Sequence, residues 1–187
     1  MKRVAITIVV FLALIVTTVL PLYPILTATA AQTAPGAPLA DARIRVAHAS
    51  PDAPAVDVWV DGTLALEGLA FEDISDYLAV AAGNHAIQVV PTGLTEPAVI
   101  SATLTFNTDV DYTIAATGEL ASITPIVLID DNDAPAEGKA HVRFVHFSPD
   151  APAVDVALAG GAVLFPNVSF QGFSAYLPVD VGTYDLE

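Results

Sequence analysis

The sequence predicts an all-β protein, an antiparallel sandwich present as a tandem repeat whose second copy is incomplete, and three observations carry that expectation. The first is an internal repeat: His48 to Val58 reads H-A-S-P-D-A-P-A-V-D-V and returns at His146 to Val156 with ten of eleven positions identical, 98 residues later. A repeat of this spacing denotes one supersecondary unit written twice. The second is a series of short apolar-alternating runs separated by turn residues, the pattern of a sandwich or barrel. The third is that no stretch after the first thirty residues offers ten residues of amphipathic helical period.

The elements follow in order. Lys2 and Arg3 precede a 17-residue apolar or threonine-containing run, Val4 to Leu20, then Pro21, Pro24 and Ala28-Thr29-Ala30-Ala31. That is the order of a secretory signal, predicting residues 1–30 as a leader cleaved after Ala30 and the rest of the chain as secreted or held at the cell surface. An uncleaved anchor is the alternative, and it is the only membrane contact expected. Residues 31–40 are mostly Pro, Ala and Gly without periodicity, expected to be a flexible spacer.

Residues 41–133 are expected to form the first sandwich domain. Strands are predicted at Arg43 to Ala49, Ala55 to Val60, Leu64 to Leu66, Asp76 to Val80, His85 to Pro91, Val99 to Phe106, Asp111 to Ala116 and Ile123 to Ile129. Asp61-Gly62, Ala82-Gly83-Asn84, Asn107-Thr108-Asp109 and Thr117-Gly118 separate them, residues that tolerate the positive φ of tight hairpins. Period-two alternation puts Ile44, Val46 and His48 on one face of the first strand, and Val56, Val58 and Val60 on one face of the second. If these two strands pair about Pro51, Arg45 opposes Asp57 and Arg43 opposes Trp59.

The polar run Asp130 to Gly138 separates the copies, with 134–139 as linker and 140–187 as a partial second copy. Strands are expected there at His141 to Phe147, Ala153 to Leu158 and Ser174 to Val179, with one more starting at Thr183. Glu187 aligns with Gln88, so counterparts of Val89 to Ile129 are absent from the second copy as read. Its apolar face is therefore expected to be marginal alone and to borrow cover from the first domain or another chain.

Composition excludes some functions. Six basic residues against 21 acidic ones give a net charge of −15, which disfavours nucleic acid as a partner. There is no cysteine, so neither a disulfide framework nor a thiol nucleophile is available. No G-x-S-x-G, H-E-x-x-H or phosphate-binding glycine loop occurs, and no catalytic residue is assigned.

The candidate binding residues lie in the motif: His48, Asp52 and Asp57, with His146, Asp150 and Asp155 at the same offsets. His48 reads either as a metal ligand or general base partnered by Asp52 or Asp57, or as a strand-end histidine on the core face with its ring nitrogens satisfied by the loop. The second reading is expected, because Asp57 lies on the opposite face by parity and no second histidine or cysteine stands at ligand spacing. Asp130, Asp131, Asn132 and Asp133 form a candidate calcium site, set against a solvated acidic linker as the simpler expectation; otherwise no cofactor is expected.

The motif, the Asp61-Gly62 turn and the later run Tyr77-Leu78-Ala79-Val80-Ala81-Ala82-Gly83 resemble a family of bacterial exported proteins classed only as a domain of unknown function. In the second copy Tyr176 and Gly182 match, while Asp180-Val181 stands where the first has Ala81-Ala82. The resemblance implies an immunoglobulin-like or transthyretin-like sandwich, often in tandem, at the cell surface, and carries no catalytic residues. The expected function is a non-enzymatic surface module for binding, adhesion or spacing of an unknown surface ligand or protein. The rival is a metal-dependent or hydrolytic enzyme centred on His48 and nearby carboxylates.

Overall fold

The structure, a computed structural model, describes residues 40–187. The predicted leader and all but the last residue of the predicted spacer lie outside them. The strands are β1 (Ala42–Ala49), β2 (Val56–Val60), β3 (Thr63–Leu69), β4 (Leu78–Val80), β5 (Gly83–Pro91), β6 (Ile100–Phe106), β7 (Asp111–Thr117), β8 (Thr124–Asp130), β9 (Lys139–Val142), β10 (Val154–Ala157), β11 (Val163–Val168) and β12 (Leu177–Asp180).

Two four-stranded sheets, ordered β4-β1-β7-β8 and β3-β2-β5-β6, form an all-β sandwich. Their inner faces carry the alternation read from the sequence: Ile44, Val46, Val56, Val58, Ile87, Phe106 and Ile114 are all at most 4 % exposed. At about 25 cal/mol per Å² of apolar surface removed from water, such a core is the dominant favourable contribution to folding. One pair, β1 with β7, is parallel, with Arg43 beside Asp111 and Ala49 beside Thr117. The sheet is mixed because β1 has two neighbours reached by different routes: β4 returns antiparallel to one edge after β3, and β7 crosses over after β6 to run parallel along the other.

That departure corrects the pairing expected about Pro51. β1 and β2 belong to different sheets. Pro51 and Pro54 lack the N–H groups a ladder needs, so Ser50 to Pro54 turns a corner between layers instead of a hairpin. Arg45 consequently donates to Thr113 Oγ1 at 2.8 Å instead of meeting Asp57, and Arg43 pairs with Asp111 and lies 5.3 Å from the Tyr77 ring centre, not beside Trp59. The β2–β3 hairpin does form on Asp61 (φ 50°) and Gly62 (φ 76°), both in the left-handed conformation that a two-residue turn requires.

Beyond the acidic run, β9 pairs with β12 and β10 with β11. The registers are those of the N-terminal ladder shifted along the chain: Ala42 faces Val80 and Ile44 faces Leu78, while Ala140 faces Val179 and Val142 faces Leu177. β11 was not legible in the sequence, because Pro166 and Asn167 interrupt its alternation. The strand expected from Thr183 reaches only an isolated bridge between Leu158 and Leu186. Phe165 and Val168 are buried, but Val163, Phe173, Val181 and Leu186 are each more than half exposed.

Candidate functional site

The two motifs build the same corner. His48 ends β1 with its side chain in the interior, 1 % exposed; Nε2 lies 3.0 Å from Pro54 O, and Nδ1 accepts the Ser50 N–H at 3.4 Å. His146 repeats both contacts, with Pro152 O at 3.1 Å and the Ser148 N–H at 3.3 Å. A carbonyl only accepts and an amide N–H only donates, so these partners require the tautomer protonated on Nε2 alone. Neither ring nitrogen is left to take a proton from a substrate or to bind a metal. The strand edge at each histidine is closed by a later loop: the His48 N–H donates to Asp73 O and its carbonyl accepts from Glu72 N, as His146 does with Gly172 O and Gln171 N. Glu72 (φ 73°) and Gln171 (φ 62°) adopt the left-handed conformation at these contacts.

Asp57 and Asp155 serve the neighbouring strands. Asp57 Oδ1 accepts the Gly68 N–H at 2.8 Å and Oδ2 the Gly93 N–H at 3.0 Å; Asp155 Oδ1 accepts the Asn167 N–H at 2.6 Å. Gly68 (φ 70°) and Asn167 (φ 50°) sit where β3 and β11 bulge, conformations open to Gly and Asn. The backbone N–H of Gly93, then that of Gly68, holds the Asp57 carboxyl below its ordinary range. A carboxylate lowered on folding stabilises above its unfolded value, near 3.8, and loses that contribution as pH falls through the lower folded value. Asp57→Asn leaves one of the two backbone donors without an acceptor and should cost about 1–3 kcal/mol at neutral pH. Urea unfolding should also show a flatter acid limb below pH 4 in the variant; an unchanged midpoint and unchanged acid limb would refute the assignment. Asp52 Oδ1 accepts the Leu120 N–H at 2.7 Å, whereas Asp150 Oδ1 accepts from Ser148 Oγ at 2.8 Å.

Asp130 joins the N-terminal sandwich to the segment that follows. Its side chain is fully buried, and it accepts from Tyr77 Oη and Thr113 Oγ1 on one oxygen and from the Arg143 guanidinium on the other. Arg45 approaches to 3.4 Å. Arg45 lies 4.9 Å from the Tyr77 ring centre and Arg143 4.7 Å from that of Tyr176, so two arginine–tyrosine pairs meet at one carboxylate. Burial, and then the hydrogen bond to Asp130, raises the Tyr77 hydroxyl above its ordinary range. Arg143 also donates to Ile129 O at 2.8 Å, and Gln171 donates to Thr117 Oγ1 and Thr124 Oγ1 at 3.0 and 2.9 Å. The predicted calcium ligands Asp130, Asp131, Asn132 and Asp133 line one surface cleft with Asp111, but their polar groups are engaged within the chain: Asp130 turns inward, Asn132 donates its amide to Asp111 and Tyr77, and Asp131 accepts the Asp133 N–H. Among the described residues no group of three or more His, Cys, Asp or Glu is placed to hold a metal ion.

The motif corners also face each other across a cleft of about 510 Å³. Ala47 and Pro51 of the first motif region and Phe147 and Pro149 of the second line it, together with Phe71 and Ile74 from the loop that closes the His48 edge. Glu72, Asp73, Glu119 and Asp150 supply its carboxylates, and among the described residues no lysine or arginine lines it. Of the six predicted binding residues, His48 and Asp150 line this cleft, while Asp52, Asp57, His146 and Asp155 do not. Phe71, Ile74 and Glu119 carried no motif, since their role depends on which loops the fold brings together. With one inserted residue allowed, Phe71 aligns with Phe170 of the second copy, which is the one sequence signal for Phe71.

The sequence model of a family described as Domain of unknown function (DUF4397) matches residues 42–157. No curated protein matches the chain.

Proposed function

Because the chain belongs to the DUF4397 family, we propose that it is an exported, non-enzymatic β-sandwich module that binds, adheres or spaces at the cell surface. The observation that supports this most is the use of the motif's polar groups: both ring nitrogens of His48 and of His146 are engaged by backbone atoms of their own corners. A general base or metal ligand needs a free lone pair directed at its substrate or ion. The repeated motif is thereby read as an architectural corner. The leader pattern and the acidic composition support export, and the shifted registers of β9 and β12 support a tandem arrangement.

A panel of hydrolytic and metal-dependent activities on the purified chain tests this. No turnover above blank is expected. Turnover abolished in both His48→Ala and the milder His48→Gln, with the circular dichroism of the fold retained, would establish the enzyme reading instead. Calcium has no role in this proposal, and calorimetry with millimolar Ca²⁺ should give no heat; a saturable heat lost in Asp131→Asn would contradict that.

A further inference from the structure

We propose that the cleft between the two motif corners binds a peptide segment of a partner protein in which an apolar side chain is flanked by lysine or arginine. This deepens the reading of the chain as a binding module and rests on it. The volume, about 510 Å³, is that of a ligand site, not of a packing defect. About half of its lining is apolar, and two of those side chains are open to solvent: Phe71 is 44 % exposed and Ile74 61 %. An apolar surface of this kind inside a concave site gains from an apolar anchor.

Charge selects what accompanies the anchor. Glu72 and Asp73 come from one loop, Glu119 from the turn after β7, and Asp150 from the second motif, so carboxylates reach the cleft from three separate segments. The cations of the described residues are committed elsewhere: Arg43 to Asp111, Arg45 and Arg143 to Asp130, and Lys139 to Asp180. The cleft's negative charge is therefore left for a partner to neutralise. Among the described residues no three of these carboxylates are grouped to hold a metal ion, whereas lysines on either side of an anchor can each meet a separate one. The open Phe71 ring adds a face for an ammonium or guanidinium group.

The probe is acetyl-Leu-Lys-Phe-Lys-amide titrated into the full chain and followed by amide chemical shifts, with acetyl-Leu-Glu-Phe-Glu-amide and acetyl-Gly-Lys-Gly-Lys-amide as controls. The lysine–apolar peptide should saturate with a Kd below about 1 mM, shifting the amides of Ala47, Phe71 to Ile74, Phe147, Ser148 and Asp150. Both controls should bind at least fivefold more weakly, affinity should fall as salt rises, and Ile74→Ser and the double variant Glu72→Gln/Glu119→Gln should each weaken it at least threefold. No saturation at millimolar peptide, shifts confined to other surfaces, equal binding of the acidic peptide, or unaltered affinity in the variants would each overturn the proposal. Turnover dependent on His48 would instead overturn the non-enzymatic reading, so the two failures are distinguishable.

Discussion

Asp130→Ala is expected to lower the unfolding free energy by about 3–5 kcal/mol, because it leaves a buried cation without its counter-charge. The Arg143 side chain is 9 % exposed and has no second carboxylate in reach among the described ion pairs, while Arg45, 33 % exposed, can turn toward water. Tyr77 and Thr113 lose their acceptor in the same substitution. The effect should extend past the sandwich: amides of Val142 to His146 should lose exchange protection, since Arg143 ties that stretch to the end of β8. Urea unfolding and amide exchange measure the two consequences together. A cost under about 1 kcal/mol, typical of exposed pairs, with unchanged protection, would show that Asp130 does not hold the two parts together.

The sequence made the sandwich legible through alternation that is clean in β6 and in the first half of β1, although β7 and the start of β2 are buried on both faces. Ile44, Val46 and His48 point inward as parity required, and so do Val56 and Val58. Partnership between strands was less legible. The Ser50 to Pro54 segment contains the residues of a tight turn, and only its two prolines hint that it changes sheets. The partner of Arg45 lies 85 residues away at Asp130, a contact fixed by β8 lying two strands from β1 in the same sheet. Asp130 itself stood out only as the first residue of an acidic run, and its burial depends on tertiary placement that no local pattern records. The cleft was invisible for the same reason: its walls come from the end of β1 and three later segments, and no period or motif links Ile74 to Phe147.

His48→Ala should be nearly as severe, with a cost of about 3–5 kcal/mol from the vacated volume and from the Ser50 N–H and Pro54 O left without partners. His48 is among the largest fully buried side chains and packs edge-on against Phe71 at 6.3 Å. The loss should therefore also loosen the loop that lines the cleft. His48→Gln, which can still donate and accept, should recover part of the stability. A His48→Ala protein as stable as the wild type would remove the motif's architectural role.

The most direct measurement is the protonation pattern of the two motif rings in the intact chain, read by long-range correlation of ring protons to the imidazole nitrogens. His48 and His146 should each show a single tautomer with the proton on Nε2, that proton exchanging slowly with water, and no change on adding zinc or calcium. Averaged tautomers, a rapidly exchanging Nε2 proton, or ring signals that move with added metal would contradict the assignment of the motif as a corner built to join two sheets.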